Sequence, residues 1–450
     1  MGYTFNSDSD TEVLLVSFQH YGEKCVDHLN GMYSFAIYDN EDDYIFIARD
    51  PLGIKPFYYS LNDKFFAFSS EVRSFYKTQL LRFVPNAKYF DEFLIFGNIT
   101  GEETLHNGIK ELLPGHYGIF KKGHLTTTKF WSPFIGELEQ SITIDKCITK
   151  LEGEMNRIAE EWSLSDRGIG ISGLLSGGLD STIISSLMSK FTSDINLYTF
   201  YTELERESDE RDLAKKVAIE LSANHQIVKL NPSKLSDDLI SISDRYGDPL
   251  NDSNTITFYN LCKQIRETSN SKVVITGEGS DEIFGGYKRH RLISESNLLN
   301  KNNDIAMGLN SVAIDRLKLF TDNPNYLKSK RFLIASELES KSKLGKVLEF
   351  DQKCFIPPYI QRQDQLGMMF SLEFRPPFLD HKLVNLANSI PSKFKLHKDL
   401  DGHIWSKYIL RNFGQNVIPK DVCWNKKKFQ FSYPVAKAFD LNGEFNNLLK

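Results

Sequence analysis

Short aromatic and β-branched runs alternate with turn residues over the first third of the chain. The runs Met32–Tyr38, Tyr44–Ala48, Phe57–Ser60, Phe65–Phe68, His116–Phe120 and Thr126–Phe130 are parted by Asp-Asn, Asp-Pro-Leu-Gly, Asn-Asp and Lys-Lys-Gly. That punctuation predicts antiparallel strands joined by tight turns. Ahead of them Val13, Leu14, Phe18, Tyr21 and Cys25 recur at a spacing of about three and four residues, which predicts one helix.

Beyond Ser141 the period changes. The apolar runs Ile169–Leu175, Ile195–Phe200, Gln226–Leu230 and Lys272–Thr276 are separated by helical patterns over Ser181–Lys190, Glu210–Leu221, Ser233–Tyr246 and Thr255–Arg266. Leu213, Val217 and Leu221 fall on one face, as a helix lying on a sheet requires. Repeated strand–helix–strand units predict a parallel sheet covered on both faces, with ligands at the carboxyl ends of its strands. Two domains are therefore expected, over residues 1–135 and 141–450, with Trp131-Ser132-Pro133 in the linker. The Asn/Lys-rich stretch Asn297–Asp304 reads as a solvated loop or helix end.

The length of 450 residues allows two cores. The net charge of −5, from 54 basic and 59 acidic residues, lacks the basic excess of a nucleic-acid-binding protein. Cys25, Cys147, Cys262, Cys354 and Cys423 are far apart and contain no CxxC pair, so reduced, buried thiols are expected. No run approaches the ~18 apolar residues of a membrane span, and the ten histidines show no metal-binding spacing. A cytoplasmic protein with no membrane or nucleic-acid partner is the expectation, with a homodimer left open.

Candidate chemistry begins at Ser176-Gly177-Gly178-Leu179-Asp180-Ser181, where the first strand of the second domain turns into a helix. Glycines let the backbone approach a phosphate closely, and Ser176, Ser181 and the free N–H groups of the helix start can donate to it. A Gly-rich turn alone is only a tight connection; the whole hexapeptide says more. It lacks both the Gly-Lys-Ser/Thr ending of a Walker loop and the GxGxxG of a dinucleotide fold.

The hexapeptide resembles the pyrophosphate-binding loop of the N-type ATP pyrophosphatases. Thr276-Gly277-Glu278-Gly279-Ser280-Asp281-Glu282-Ile283-Phe284-Gly285-Gly286-Tyr287, Phe374-Arg375-Pro376-Pro377-Phe378-Leu379-Asp380 and Asn425-Lys426-Lys427-Lys428-Phe429 resemble, in order, the asparagine synthetase branch. The N-terminal third is similar to that family through Ser9-Asp10-Thr11-Glu12-Val13, Leu29-Asn30-Gly31-Met32-Tyr33-Ser34-Phe35-Ala36 and Arg49-Asp50-Pro51-Leu52-Gly53-Ile54-Lys55-Pro56. The implied fold is an incomplete α+β antiparallel sandwich of the Ntn-hydrolase type followed by an α/β parallel-sheet ATP pyrophosphatase domain.

The resemblance implies ATP and Mg²⁺ as cofactors, with Asp180 and Asp281 binding Mg-pyrophosphate and Lys427 stabilising charge on the transferring phosphate. Asp180 and Asp281 are also oxygen donors of the kind Mg²⁺ prefers. Leu174, Thr202, Thr276 and Gly277 match positions that contact ATP, although Thr202 stands where the family often has an aliphatic residue. Glu278 is the acid/base candidate, because ammonia must lose a proton as it attacks an acyl-adenylate. A basic surface run, Lys426–Lys428, is the alternative reading of Lys427. Arg375 and Asp380 read equally well as a structural ion pair.

Complete members of the family begin Met-Cys, and the freed cysteine attacks glutamine. This chain begins Met1-Gly2-Tyr3 and keeps only Asp10 of the implied glutamine site, so the glutaminase half is expected to be inactive and the ends to be those of a fragment. The implied reaction converts aspartate, ATP and ammonia, drawn from glutamine in the intact family, to asparagine, AMP and pyrophosphate through β-aspartyl-AMP. Two rivals remain: the same adenylation of a sugar acid or β-lactam-type substrate, and a non-catalytic remnant.

Overall fold

The computed structural model describes residues 2–136, 141–165, 169–192, 195–204, 209–250, 252–295, 302–307, 328–426, 434 and 435. They form two compact units. The first comprises residues 1–87 and 100–132, and the second takes residues 88–99 together with everything from Pro133 onward.

The first unit is built on period-two alternation. Strands β1 (Ser34–Asp39), β2 (Tyr44–Arg49), β6 (His116–Lys121) and β7 (His124–Lys129) form an antiparallel sheet in the order β1-β2-β6-β7, while β3 (Tyr58–Leu61), β4 (Phe66–Ser69) and β5 (Lys110–Glu111) form a second in the order β4-β3-β5. Along β2, Ile45 and Ile47 face the second sheet, packing with Phe57, Tyr59, Phe66 and Leu112. Phe46 and Ala48 face the opposite way onto Phe18 of helix α1 (Asp10–Tyr21). Tyr58 on β3 packs with Phe75 of the short helix α2 (Arg73–Lys77) on the far side of the second sheet. The result is a helix–sheet–sheet–helix sandwich. Of the residues that predicted α1, Phe18 and Cys25 are buried, but Val13 is 49% exposed, because the helix ends at Tyr21 and a 3-10 turn, Gly22–His28, carries Cys25 inward.

The Arg49–Pro56 block serves this unit structurally. Buried Asp50 accepts hydrogen bonds from the N–H groups of Leu52, Ile54 and Lys55, and buried Arg49 donates to the carbonyls of Gly53, Lys55 and Leu112.

The second unit opens with α3 (Phe90–Phe96), an element the sequence pattern does not assign to it. The Arg331 guanidinium lies 4.5 Å over the ring of Phe96, and Asn98 Nδ2 donates to the Cys354 carbonyl at 3.2 Å. Next comes α4 (Ile144–Trp162), capped by Thr143, whose inward stripe Cys147, Leu151, Met155, Ile158 and Trp162 has helical spacing. Strands β8 (Ile171–Leu174), β9 (Ile195–Tyr201), β10 (Asn224–Lys229), β11 (Val273–Ile275) and β12 (Glu373–Arg375) form one parallel sheet in the order β10-β9-β8-β11-β12.

Helices α5 (Leu179–Met188), α6 (Arg211–Glu220), α7 (Leu235–Tyr246) and α8 (Asn254–Thr268) complete the crossovers. All four residues of β8 are buried, as a strand covered on both faces requires. The described part of Asn297–Asp304 belongs to a helix, Asn302–Ala306, whose Ile305 and Ala306 are buried. Sequential strands run outward from β8 on one side and resume at β11 on the other, so the strand order reverses between the parallel neighbours β8 and β11. In open α/β sheets that reversal leaves a crevice beyond the strand ends, where ligands bind.

All five cysteines are buried and free. Among the described residues no helix is long and apolar enough to cross a membrane.

Candidate active site

At the β8 end of the crevice, Ser176–Ser181 leads into α5. The Ser176 N–H donates to Ser181 Oγ at 3.1 Å, and the Gly178 N–H donates to Ser176 Oγ at 3.2 Å, so the hydroxyls fold the loop around the helix start. At the β11 end, Thr276-Gly277-Glu278 leads into the short helix α9 (Ser280–Phe284). A Cβ on Gly277 would stand 2.8 Å from the Ser181 N atom and 3.0 Å from Asp180 Cβ, so only glycine lets the second turn lie against the first. Ser280 Oγ donates to Asp180 Oδ1 at 2.8 Å and ties the turns together.

Asp180 and Asp281 meet at one cation. Lys407 Nζ lies 2.5 Å from Asp180 Oδ2 and 3.0 Å from Asp281 Oδ1, with the lysine side chain only 5% exposed. Lys407 is held in the left-handed region, φ 54°, between β14 (Ile404–Ser406), which pairs with β13 (Leu396–Lys398), and the helix Tyr408–Gly414. A non-glycine residue in that conformation is strained, and such strain concentrates at functional positions. Gly286 packs against the pair, since a Cβ there would fall 1.7 Å from Asp281 Oδ1 and 2.1 Å from Lys407 Cε.

Glu278 is half-buried in the same wall. Tyr359 Oη donates to its Oε1 at 3.2 Å. Burial, reinforced by the Glu282 and Asp281 carboxylates, pushes its carboxyl up to about 8. Glu210, at the start of α6, is likewise pushed up to about 8 by burial and by the Asp180 carboxylate. Both carboxyls stand ready to hold protons near neutral pH.

These groups line one cleft of about 640 Å³. Of the residues singled out from sequence, Leu174, Ser176, Gly177, Gly178, Asp180, Ser181, Thr276, Gly277, Glu278 and Asp281 line it. Thr202 is buried past the end of β9, where its hydroxyl accepts from the Leu204 N–H, and Phe200 faces the cleft instead. Asp10 is exposed at the start of α1 in the first unit. Lys427 lies outside the described residues.

Lys407, Glu210, Tyr359, Arg291 and Arg411 also line the cleft, and no sequence motif announced them. Arg375 and Asp380 do not pair with each other. Asp380 caps the helix His381–Ser389 and binds Arg157 at 2.7 Å, whereas Arg375 pairs with Glu373 and donates to the Trp162 and Leu164 carbonyls. Each residue is committed to its own helix or strand end.

The sequence model of the asparagine synthase family matches residues 164–450, more than half of the chain, and that of the glutamine amidotransferase domain matches residues 1–131. Asparagine synthetase (glutamine-hydrolysing) 1 of Bacillus subtilis is 28% identical over 96% of this chain and 72% of its own length. Asparagine synthetase (glutamine-hydrolysing) 3 of the same organism is 26% identical over 95% and 71%. A protein named amidase chry2, from Gibberella zeae, is 24% identical over 95% and 73%. A sandwich followed by a parallel sheet, a glycine-rich turn at the switch point of that sheet, and both sequence models agree: the chain belongs to the asparagine synthase family of ATP-dependent amide-forming ligases.

Proposed function

We propose that this chain adenylates the side-chain carboxylate of aspartate and transfers the acyl group to ammonia, giving asparagine, AMP and pyrophosphate. The observation that carries the proposal is the convergence of Asp180 and Asp281 on one cationic point beside the Ser176–Ser181 loop, with Glu278 in the same cleft.

A metal fits beside that point, on the same two carboxylates that Lys407 touches. Among the described residues no group of three or more His, Cys, Asp or Glu could hold an ion unaided. Two carboxylates completed by substrate phosphates and water form the donor set that Mg²⁺ commonly takes. Asp180 and Asp281 would hold it, and when bound it would neutralise charge on the pyrophosphate as that group leaves.

The chain's own residues divide the remaining work. Ser176, Ser181 and the N–H groups opening α5 hold the β- and γ-phosphates. Lys407 supplies fixed positive charge where the P–O bond to pyrophosphate breaks as the aspartate oxygen attacks the α-phosphorus. In the second step ammonia attacks the acyl carbon, its proton passes to the Glu278 carboxylate in its ionised form, and AMP departs. A carboxyl raised to about 8 binds such a proton more firmly than an ordinary glutamate would.

The test is direct. Purified chain supplied with ATP, Mg²⁺, aspartate and ammonium should yield asparagine, AMP and pyrophosphate in equal amounts. Release of ADP and phosphate would exclude the mechanism.

A further inference from the structure

The proposed reaction leaves one corner of the cleft unexplained. Between α7 and α8 the chain passes Asp252, whose carboxylate lines the cleft together with Tyr359 and Glu278. Asp252 Oδ1 accepts the Asn254 N–H at 2.8 Å, and Oδ2 accepts Arg362 Nη1 at 2.6 Å. Each carboxylate oxygen has two acceptor sites, so half of its capacity remains on a side chain that is 30% exposed.

Arg362 is the unusual member of the pair. Its side chain is only 6% exposed, its guanidinium lies 4.6 Å over the Tyr359 ring, and its Nε and Nη2 have no hydrogen-bond partner among the described residues. A buried guanidinium with a single partner is a costly way to fix one carboxylate. Accepting the Asn254 N–H at the start of α8 does not require it, because a serine or asparagine oxygen accepts such a bond as well as an aspartate does. What the guanidinium adds is a fixed orientation for a negative charge at the cleft wall.

The contacts also give the position of that charge. Glu278, three residues from Asp281, receives a hydrogen bond from Tyr359; Tyr359 stacks on Arg362, and Arg362 holds Asp252. Glu278 and Asp252 stand at the two ends of this chain of contacts and both line the cleft, so an acceptor that reaches from one to the other meets an anion at its far end. Hydroxyls of a sugar acid would satisfy that anion weakly, while an ammonium group would satisfy it fully.

We propose that Asp252, positioned by Arg362, binds the α-ammonium group of the acceptor and so selects an amino acid over other carboxylic acids. This rests on the adenylation reading above. Substrate discrimination of this kind is large when a site is built to bond a group that the analogue lacks.

The experiment measures kcat/KM for AMP release with aspartate, with succinate, which lacks the ammonium, and with N-acetylaspartate, which masks it. Wild-type chain should prefer aspartate by about 100-fold or more, and Asp252→Asn, which keeps an acceptor for the Asn254 N–H, should reduce that preference to about tenfold or less through KM for aspartate, with KM for ATP unchanged. Equal losses with aspartate and succinate in Asp252→Asn would make Asp252 an acceptor for the start of α8 and nothing more. Should that variant fail to fold, the wild type still decides, since use of N-acetylaspartate or succinate as readily as aspartate overturns the proposal. AMP release with a sugar acid but not with aspartate would overturn it while leaving adenylation standing; AMP release with no carboxylic acid would remove both.

Discussion

Ser280 Oγ reaches across one hundred residues of sequence to donate a 2.8 Å hydrogen bond to Asp180 Oδ1. The bond makes the turns after β8 and β11 a single structural unit, so Asp180 and Asp281 present their carboxylates together.

Asp180→Asn and Asp281→Asn should therefore depress turnover far more than folding. Each removes a ligand charge from a polar strand end while keeping the shape, and a loss of about 100-fold in kcat/KM is expected beside a stability change of about 1 kcal/mol. AMP release at saturating Mg²⁺, measured alongside thermal melting, checks this. Unchanged turnover in both variants would contradict the metal-holding role.

Lys407→Met should behave differently from the aspartate variants. Removing this cation, which both carboxylates touch, leaves Asp180 and Asp281, at 24% and 20% exposure, facing each other. Breaking a buried pair costs about 3–5 kcal/mol, and partial exposure places this case nearer about 2 kcal/mol. Added Mg²⁺ should raise Tm more in the variant than in the wild type, because a divalent ion can take the vacated place between the carboxylates. Equal Tm gains in the two proteins would argue against a shared cation position.

Glu278 gives a pH signature. Its carboxyl stands at about 8 in the fold against an ordinary value of 4.5. Its contribution to stability is thus complete below pH 4.5 and is lost as pH rises through 8, since the unfolded chain releases the proton first. Glu278→Gln removes this dependence. The Tm of the variant relative to wild type should climb between pH 5 and 8 in the absence of ATP and metal, and parallel melting curves would show that the residue titrates normally.

Two glycines make a matched pair for a steric test. Gly286→Ala would drive a methyl into Asp281 and Lys407, whereas a Cβ at Gly153, on the exposed side of α4, meets nothing within 4 Å. Gly286→Ala should abolish AMP release, and Gly153→Ala should raise stability by about 1 kcal/mol through helix propensity. Activity surviving in Gly286→Ala would mean that the carboxylate pair tolerates displacement.

The sequence disclosed this site unevenly. Strands β8, β9 and β11 were readable because a parallel strand covered on both faces is a nearly continuous apolar run, whereas the edge strand β10 offered only the short apolar pair Ile227 and Val228. Strand β12 was not, since Glu373-Phe374-Arg375 carries one apolar residue and owes its extended form to pairing with β11. The Ser176–Ser181 loop and the Thr276–Asp281 turn were legible because their glycine-rich spacing is distinctive, and the fold brings both to one cleft. Lys407 and Arg362 carried no such signal: each is one cation among many in the sequence, and its meaning comes from distant chain segments meeting in the fold. The membership of α3 in the second unit was hidden for the same reason, because its partners lie in residues 328–354.

That excursion of residues 88–99 into the second unit sets a schedule for biosynthesis. Asn98 bonds to Cys354, 256 residues later, so α3 leaves the ribosome long before the surface that receives it exists. At ~5–20 residues per second, Phe96 waits roughly 10–50 s for its cover. During that interval the nascent chain carries an unsheltered aromatic segment between two halves of its first folding unit.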